Sequence, residues 1–117
     1  MRVEKIVRIS DTAAQYGSGL LEVFATPAMI ALMENAAHKL AQSIVAEGED
    51  SVGTEINVKH TRATPIGATV YAEAELLERS ERKLLFKITA YDDKGEIGSG
   101  THVRFIISPE KFMKRIV

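Results

Sequence analysis

Two side chains in this sequence combine a proton-carrying type with a position facing the interior. They are Glu34 in "TPAMIALMENAAHKLA", residues 26–41, and His60 at the end of "VGTEINVKH", residues 52–60. At ~100° per residue, Met29, Met33, Ala37, Leu40 and Ile44 make one helical stripe flanked by Ile30, Ala36 and Ala41. Glu34 falls ~140° from Met29, on the rim of that stripe. A carboxylate there is partly desolvated, the condition that suits acid–base or nucleophilic work. The competing reading is a surface pair with His38 at i+4, worth a few tenths of a kcal/mol. Alternation along residues 52–60 puts His60 on one face with Thr54, Ile56 and Val58, and Glu55, Asn57 and Lys59 on the other. An inward imidazole is either a satisfied core residue or a proton carrier. Both residues pointing into one helix–sheet crevice would mount an acid–base pair.

Other polar residues carry less. Thr26 is explained as a helix N-cap, ahead of Pro27 at the first helical position. His102 and Arg104 alternate away from Val103 and Phe105, which places them in solvent or at an interface, and His38 reads as solvent-facing. Three histidines on separate elements with no close-spaced ligand pair give no support to a metal site, and no cofactor is expected. Gly98 and Gly100 in "EIGSGTH" lie in a strand context rather than before a helix, unlike a phosphate loop.

The elements that must position these residues follow from periodicity. "VEKIVRI" reads as a strand, and "SDTAAQYGSGLLEVFA" as either a mobile flap over a pocket or a connection whose leucines plug the core. The long helix follows, stopped near Gly48. Thereafter the period is two. Val70, Ala72, Ala74 and Leu76 share one face, as do Leu84, Phe86, Ile88 and Ala90, and then Ile97, Val103, Phe105 and Ile107, with turns at "RSER" and "DDKG". One strand, one long helix and four strands imply an α+β domain over residues 1–117, in which an antiparallel five-stranded sheet curls around one central helix. One helix cannot cover such a sheet, and its alanine-rich flank invites a second copy, so at least a dimer is expected.

Bulk properties agree with a single globular domain. The 117 residues include 15 basic and 16 acidic side chains, a formal net charge of -1, so no electrostatic footprint for nucleic acid is present. There is no cysteine, which excludes disulfides and a thiol nucleophile. No stretch approaches the ~20 apolar residues of a membrane span, and "MRVEKIVRIS" lacks the apolar core of a secretion signal; cytoplasmic residence is the default expectation.

Three ordered stretches, "VFATPAMIALMENAA", "VGTEINVKHTRATPIGATV" and "DDKGEIGSGTHVRFII", give the sequence a resemblance over about residues 20 to 112 to hotdog-fold thioesterases related to fluoroacetyl-CoA thioesterase. The resemblance implies a hotdog fold, a homodimer with pairing into tetramers left open, and hydrolysis of an acyl-CoA to acid and CoA. It matches the family's catalytic threonine, glutamate and histidine to Thr26, Glu34 and His60, a glycine near the thioester carbonyl to Gly53, and a substrate-site arginine to Arg104. The family's lid phenylalanines fall on Gly17 and Leu20 here, which points to short or medium acyl groups other than fluoroacetyl. In the implied mechanism Glu34 is nucleophile or general base, His60 its proton-transfer partner, and the Gly53 N–H an oxyanion donor. Helix rise separates Thr26 from Glu34 by ~12 Å, so the site is expected to straddle the dimer, Thr26 of one protomer near Glu34 of the other. A non-hydrolytic acyl-CoA-binding module and an enoyl-CoA hydratase-like enzyme remain the alternatives, because the fold hosts all three.

Overall fold

The computed structural model describes residues 1–117. Strand β1 (Arg2–Ile6) leads through a 3-10 turn at residues 9–11 and a one-turn helix α1 (Ala13–Tyr16) to the long helix α2 (Thr26–Gln42). Strands β2 (Asp50–His60), β3 (Thr69–Ser80), β4 (Lys83–Asp92) and β5 (Gly95–Ile107) follow, then a short helix α3 (Pro109–Ile116). All five strands form one antiparallel sheet in the order β1-β3-β4-β5-β2, which leaves β2 at an edge. This is the hotdog arrangement, with α2 as the filling. No helix is long and apolar enough to cross a membrane.

The core forms where the two periodicities meet. From α2 come Ala28, Met29, Leu32, Met33, Ala36, Ala37 and Ala41, and from the sheet Val70, Ala72, Ala74, Leu84, Phe86, Ile88 and Ala90. The inward faces expected of β3 and β4 are therefore observed. So is most of the helix stripe, which turns further toward Leu32 than the stripe through Met29 and Met33 suggests. Small residues let the helix sit close to the sheet. At Gly98 an added Cβ would lie 2.6 Å from the Lys59 carbonyl oxygen and 2.7 Å from Met29 Sδ.

Three bulges change strand parity, one at Leu77 in β3 and two that shape the strands of the site. In β2 the partner of Gly53 is Arg104 and that of Glu55 is Val103, so Thr54 is an extra residue. It leaves the inward face, on which the alternation had placed it with Ile56, and is exposed. In β5 the partner of Ala90 is Gly98 and that of Tyr91 is Glu96, so Ile97 is extra and turns into the core. Beyond it the helix side of β5 carries Gly98, His102, Arg104 and Ile106. His102 (1% exposed) and Arg104 (7%) are thus inside, contrary to their expected solvent or interface placement, while Phe105 is 39% exposed on the outer face.

The segment before α2 is folded back on itself. Ala13 N donates to the Val23 carbonyl, Ala14 N to that of Leu21, Ala25 N to that of Asp11 and Phe24 N to that of Thr64. Phe24 enters the core, but Leu20 and Leu21 extend into solvent, 94% and 68% exposed, and neither plugs the core. The tight contact of α2 with β5 is testable: Gly98→Val should lower stability by about 1–3 kcal/mol, read as a lower denaturant midpoint at unchanged slope.

Candidate functional site

The N-terminus of α2 does not use Thr26 as its cap. Ala25 occupies the N-cap with no side-chain hydrogen bond, and Thr26 is already helical. Its hydroxyl is free of the backbone and lies 2.9 Å from Nδ1 of His60, at the C-terminal end of β2. The capping account of Thr26 therefore gives way to a side-chain pair that joins helix start to strand end. The other ring nitrogen, Nε2 of His60, is buried and has no hydrogen-bond partner within the chain. Burial lowers the His60 pKa below the ordinary histidine value, against a smaller opposing contribution from the Arg62 backbone, so the ring is neutral at pH 7.

Thr26 and His60 open onto a cleft of about 420 Å³, lined also by Ala13, Val23, Phe24 and Arg62. Its rim is anchored by one carboxylate. Asp92, 4% exposed, receives Arg62 Nη2 at 2.6 Å, the Thr64 hydroxyl at 2.9 Å and the Lys94 N–H at 2.8 Å. Burial alone would raise its pKa, but these donors hold it below the ordinary carboxylate range. The β4–β5 hairpin is thereby tied to the chain that leaves His60.

Glu34 lies elsewhere along α2. Its side chain is 41% exposed and does not pair with His38, whose Nε2 is 2.8 Å from Asp50 Oδ1 instead. Glu34 Oε2 is 3.9 Å from Arg104 Nη1 and 3.9 Å from His102 Nε2. It also lies against Gly53, where an added Cβ would come within 2.8 Å of that oxygen. Arg104 is held from behind: Nε donates to Ser51 Oγ at 2.8 Å and Nη2 to the Ser51 carbonyl at 2.9 Å. Burial works against its charge, with the Glu34 and Asp50 carboxylates acting the other way.

The five residues singled out in the sequence therefore form two groups within one chain. Thr26 sits with His60, and Glu34 with Gly53 and Arg104. The pairing of Glu34 with His60 in a single crevice is not made within the chain. Eight residues of helix, ~12 Å, separate Thr26 from Glu34, and seven residues of strand, on the order of 20 Å, separate His60 from Gly53. Ser51, His102 and Asp92 are further neighbours of the site. In sequence Asp92 reads only as part of the "DDKG" turn, Ser51 carries no signal, and the inward parity of His102 is visible only once Ile97 is known to be a bulge. No group of three or more His, Asp and Glu side chains is placed to hold a metal ion.

Comparison with known proteins adds the following. The family model for the fluoroacetyl-CoA-specific thioesterase FlK matches residues 7–110. The fluoroacetyl-CoA thioesterase of Streptantibioticus cattleyicolor is 46% identical over 95 residues, 81% of this chain and 68% of that protein. A solved structure of the fluoroacetyl-CoA thioesterase FlK superposes with a TM-score of 0.92 at 38% identity, covering 99% of this chain and 90% of its own. A hot-dog-like protein from Thermanaerovibrio acidaminovorans, with a TM-score of 0.89 and 24% identity over 99% of this chain and 86% of its own, shares the fold.

The neutral, buried state of His60 has a measurable consequence. Its ring titration, followed by NMR, should have a midpoint below the ~6.5 of an unperturbed histidine. Because the unfolded chain then binds the proton first, stability contributed by the neutral ring is complete above about pH 6.5 and is lost as the pH falls below it. His60→Gln should flatten that part of the stability–pH curve.

Proposed function

The chain belongs to the fluoroacetyl-CoA-specific thioesterase family of hotdog proteins, and on that footing we propose that it hydrolyses an acyl-CoA thioester to the free acid and CoA. The observation that carries the reading is the geometry of His60: an imidazole that lines the cleft, held through Nδ1 by the Thr26 hydroxyl, with its buried Nε2 unpaired within the chain. If Nδ1–H donates to the Thr26 hydroxyl oxygen, Nε2 presents its lone pair. Thr26 is then a positioning residue that selects the basic tautomer of a proton carrier.

The reacting centre is assembled from two protomers. Strand β2 is a long edge with an unpaired row of backbone groups, the geometry that favours pairing with another copy. Isologous antiparallel pairing about its middle sets the His60 end of each β2 beside the Gly53 end of its partner. Thr26 and His60 of one protomer then face Glu34, Gly53 and Arg104 of the other. With Glu34 as general base, a water that it deprotonates attacks the thioester carbonyl, the C–S bond breaks, and the proton passes from Glu34 by way of His60 to the departing CoA thiolate. With Glu34 as nucleophile, its carboxylate displaces the thiolate to give an anhydride, and a water deprotonated by His60 hydrolyses it, freeing the acid and Glu34 while His60 passes the proton to the thiolate. The Gly53 N–H donates to the developing oxyanion, and Arg104 faces the carboxylate with Nη1 at 3.9 Å. The acyl group occupies the cleft beside Phe24 and Val23. Gly17 and Leu20, at the positions that the resemblance gives to lid phenylalanines, supply no aromatic cover, which favours short or medium acyl groups over fluoroacetyl.

Thiol release over a panel of acyl-CoA esters tests the activity. Glu34→Gln should lower turnover about 100-fold or more, and undiminished turnover would remove the carboxylate from the chemistry. The shared site has its own test. Glu34→Gln and His60→Ala homodimers, each inactive, should regain roughly a quarter of wild-type activity when their subunits are exchanged, because half of the dimers are then mixed and carry one intact site. Absence of recovery, with subunit exchange verified, would place both residues in one protomer's site.

A further inference from the structure

Behind Glu34 lies a buried histidine that the mechanism leaves unused. Nδ1 of His102 is 2.8 Å from the Glu55 carbonyl oxygen, which can only accept, so Nδ1 carries the proton. Nε2 is 3.1 Å from Nη1 of Arg104, which can only donate, so Nε2 presents its lone pair. The tautomer is fixed from both sides. Although Glu34 Oε2 is 3.9 Å away, the ring cannot take up a proton at Nε2 without expelling the guanidinium. Burial lowers its pKa below that of an ordinary histidine, and the Arg104 charge acts in the same direction, against the Glu55 carbonyl and the Glu34 carboxylate.

The guanidinium has five N–H groups. Three are committed, to Ser51 Oγ, the Ser51 carbonyl and His102 Nε2. The Ser51 contacts hold Nε and Nη2; only His102 holds Nη1, the atom nearest Glu34. We propose that His102 is a positioning residue, a neutral Nδ1–H imidazole that locks Nη1 of Arg104 so that its remaining N–H faces the Glu34 carboxylate. Its importance for turnover rests on the reading of Glu34 as the reacting carboxylate, whereas the clamp itself does not.

Two substitutions separate the halves of the ring. His102→Gln keeps an oxygen acceptor near the position of Nε2, while His102→Asn keeps only an N–H donor near that of Nδ1. Nitrogen NMR of the wild-type protein at pH 7 should show one protonated and one unprotonated ring nitrogen, with the proton on Nδ1. The two protons of Arg104 Nη1 should give distinct signals through hindered rotation about Cζ–Nη1 in the wild type and in His102→Gln, and one averaged signal in His102→Asn, while Nη2 stays held by Ser51 in all three. Turnover should fall about 10- to 100-fold in His102→Asn at little-changed KM, and stay within a few-fold in His102→Gln. A proton on Nε2, or Arg104 signals of equal mobility in all three proteins, would overturn the proposal. Should His102→Asn fail to fold, the wild-type ring spectrum and the Gln variant still decide it. A wild-type protein that releases no thiol would count against the hydrolase reading and leave the NMR result to judge the clamp.

Discussion

Side chains alternate along a strand, so Gly53 and His60, seven residues apart, belong on opposite faces of an unbroken β2. The single extra residue at Thr54 removes that conflict. Because the register slips there, Ser51 and Gly53 before the bulge and Ile56, Val58 and His60 after it all look toward α2. The contacts that β2 makes in the candidate site depend on this slip. It brings Gly53 against Glu34, sets Ser51 behind Arg104 and delivers the His60 ring to the start of the helix. A bulge is usually treated as a local irregularity, but here it aligns the two ends of an edge strand with the two ends of a helix face.

The helix works under a matching constraint. It must lie close enough to the sheet for a short threonine and a glutamate to reach strand residues, and this closeness comes from what is missing beneath it. Gly98 leaves room for Met29, and Gly53 leaves room for the Glu34 carboxylate. Alanines 28, 36, 37 and 41 keep the helix surface low where it meets β3 and β4. The core and the site are thus built from one set of small residues. Packing density and polar reach are two readings of the same geometry.

How much of this was legible in the sequence follows from the same physics. The long helix, the succession of the strands and the inward faces of β3 and β4 come from periodicities that run unbroken over the residues concerned, Val70 to Leu76 and Leu84 to Ala90 in the strands. The errors sit where a pattern is interrupted or too short. Val103 and Phe105 draw the apolar face of β5 to the wrong side because Ile97 hides a bulge, and alternation then sends His102 and Arg104 to solvent or an interface. Thr26 has the chemistry of a cap and a neighbouring proline to match, but the helix starts one residue early and frees the hydroxyl. Helices α1 and α3, of four and eight residues, are too short to show a period, and Leu20 and Leu21 look like core residues yet stand in water.

Asp92 shows how the shape of the cleft is coupled to a distant turn. Its carboxylate binds the tip of the β4–β5 hairpin and, through Arg62 and Thr64, the segment that carries the chain away from His60. Segments joined by a buried charge with several donors open together rather than one at a time. The hairpin tip and the cleft rim should therefore behave as one cooperative unit in hydrogen exchange, even though some thirty residues of sequence lie between them. Breathing at a surface loop becomes, in this protein, breathing of the entrance that a ligand must pass.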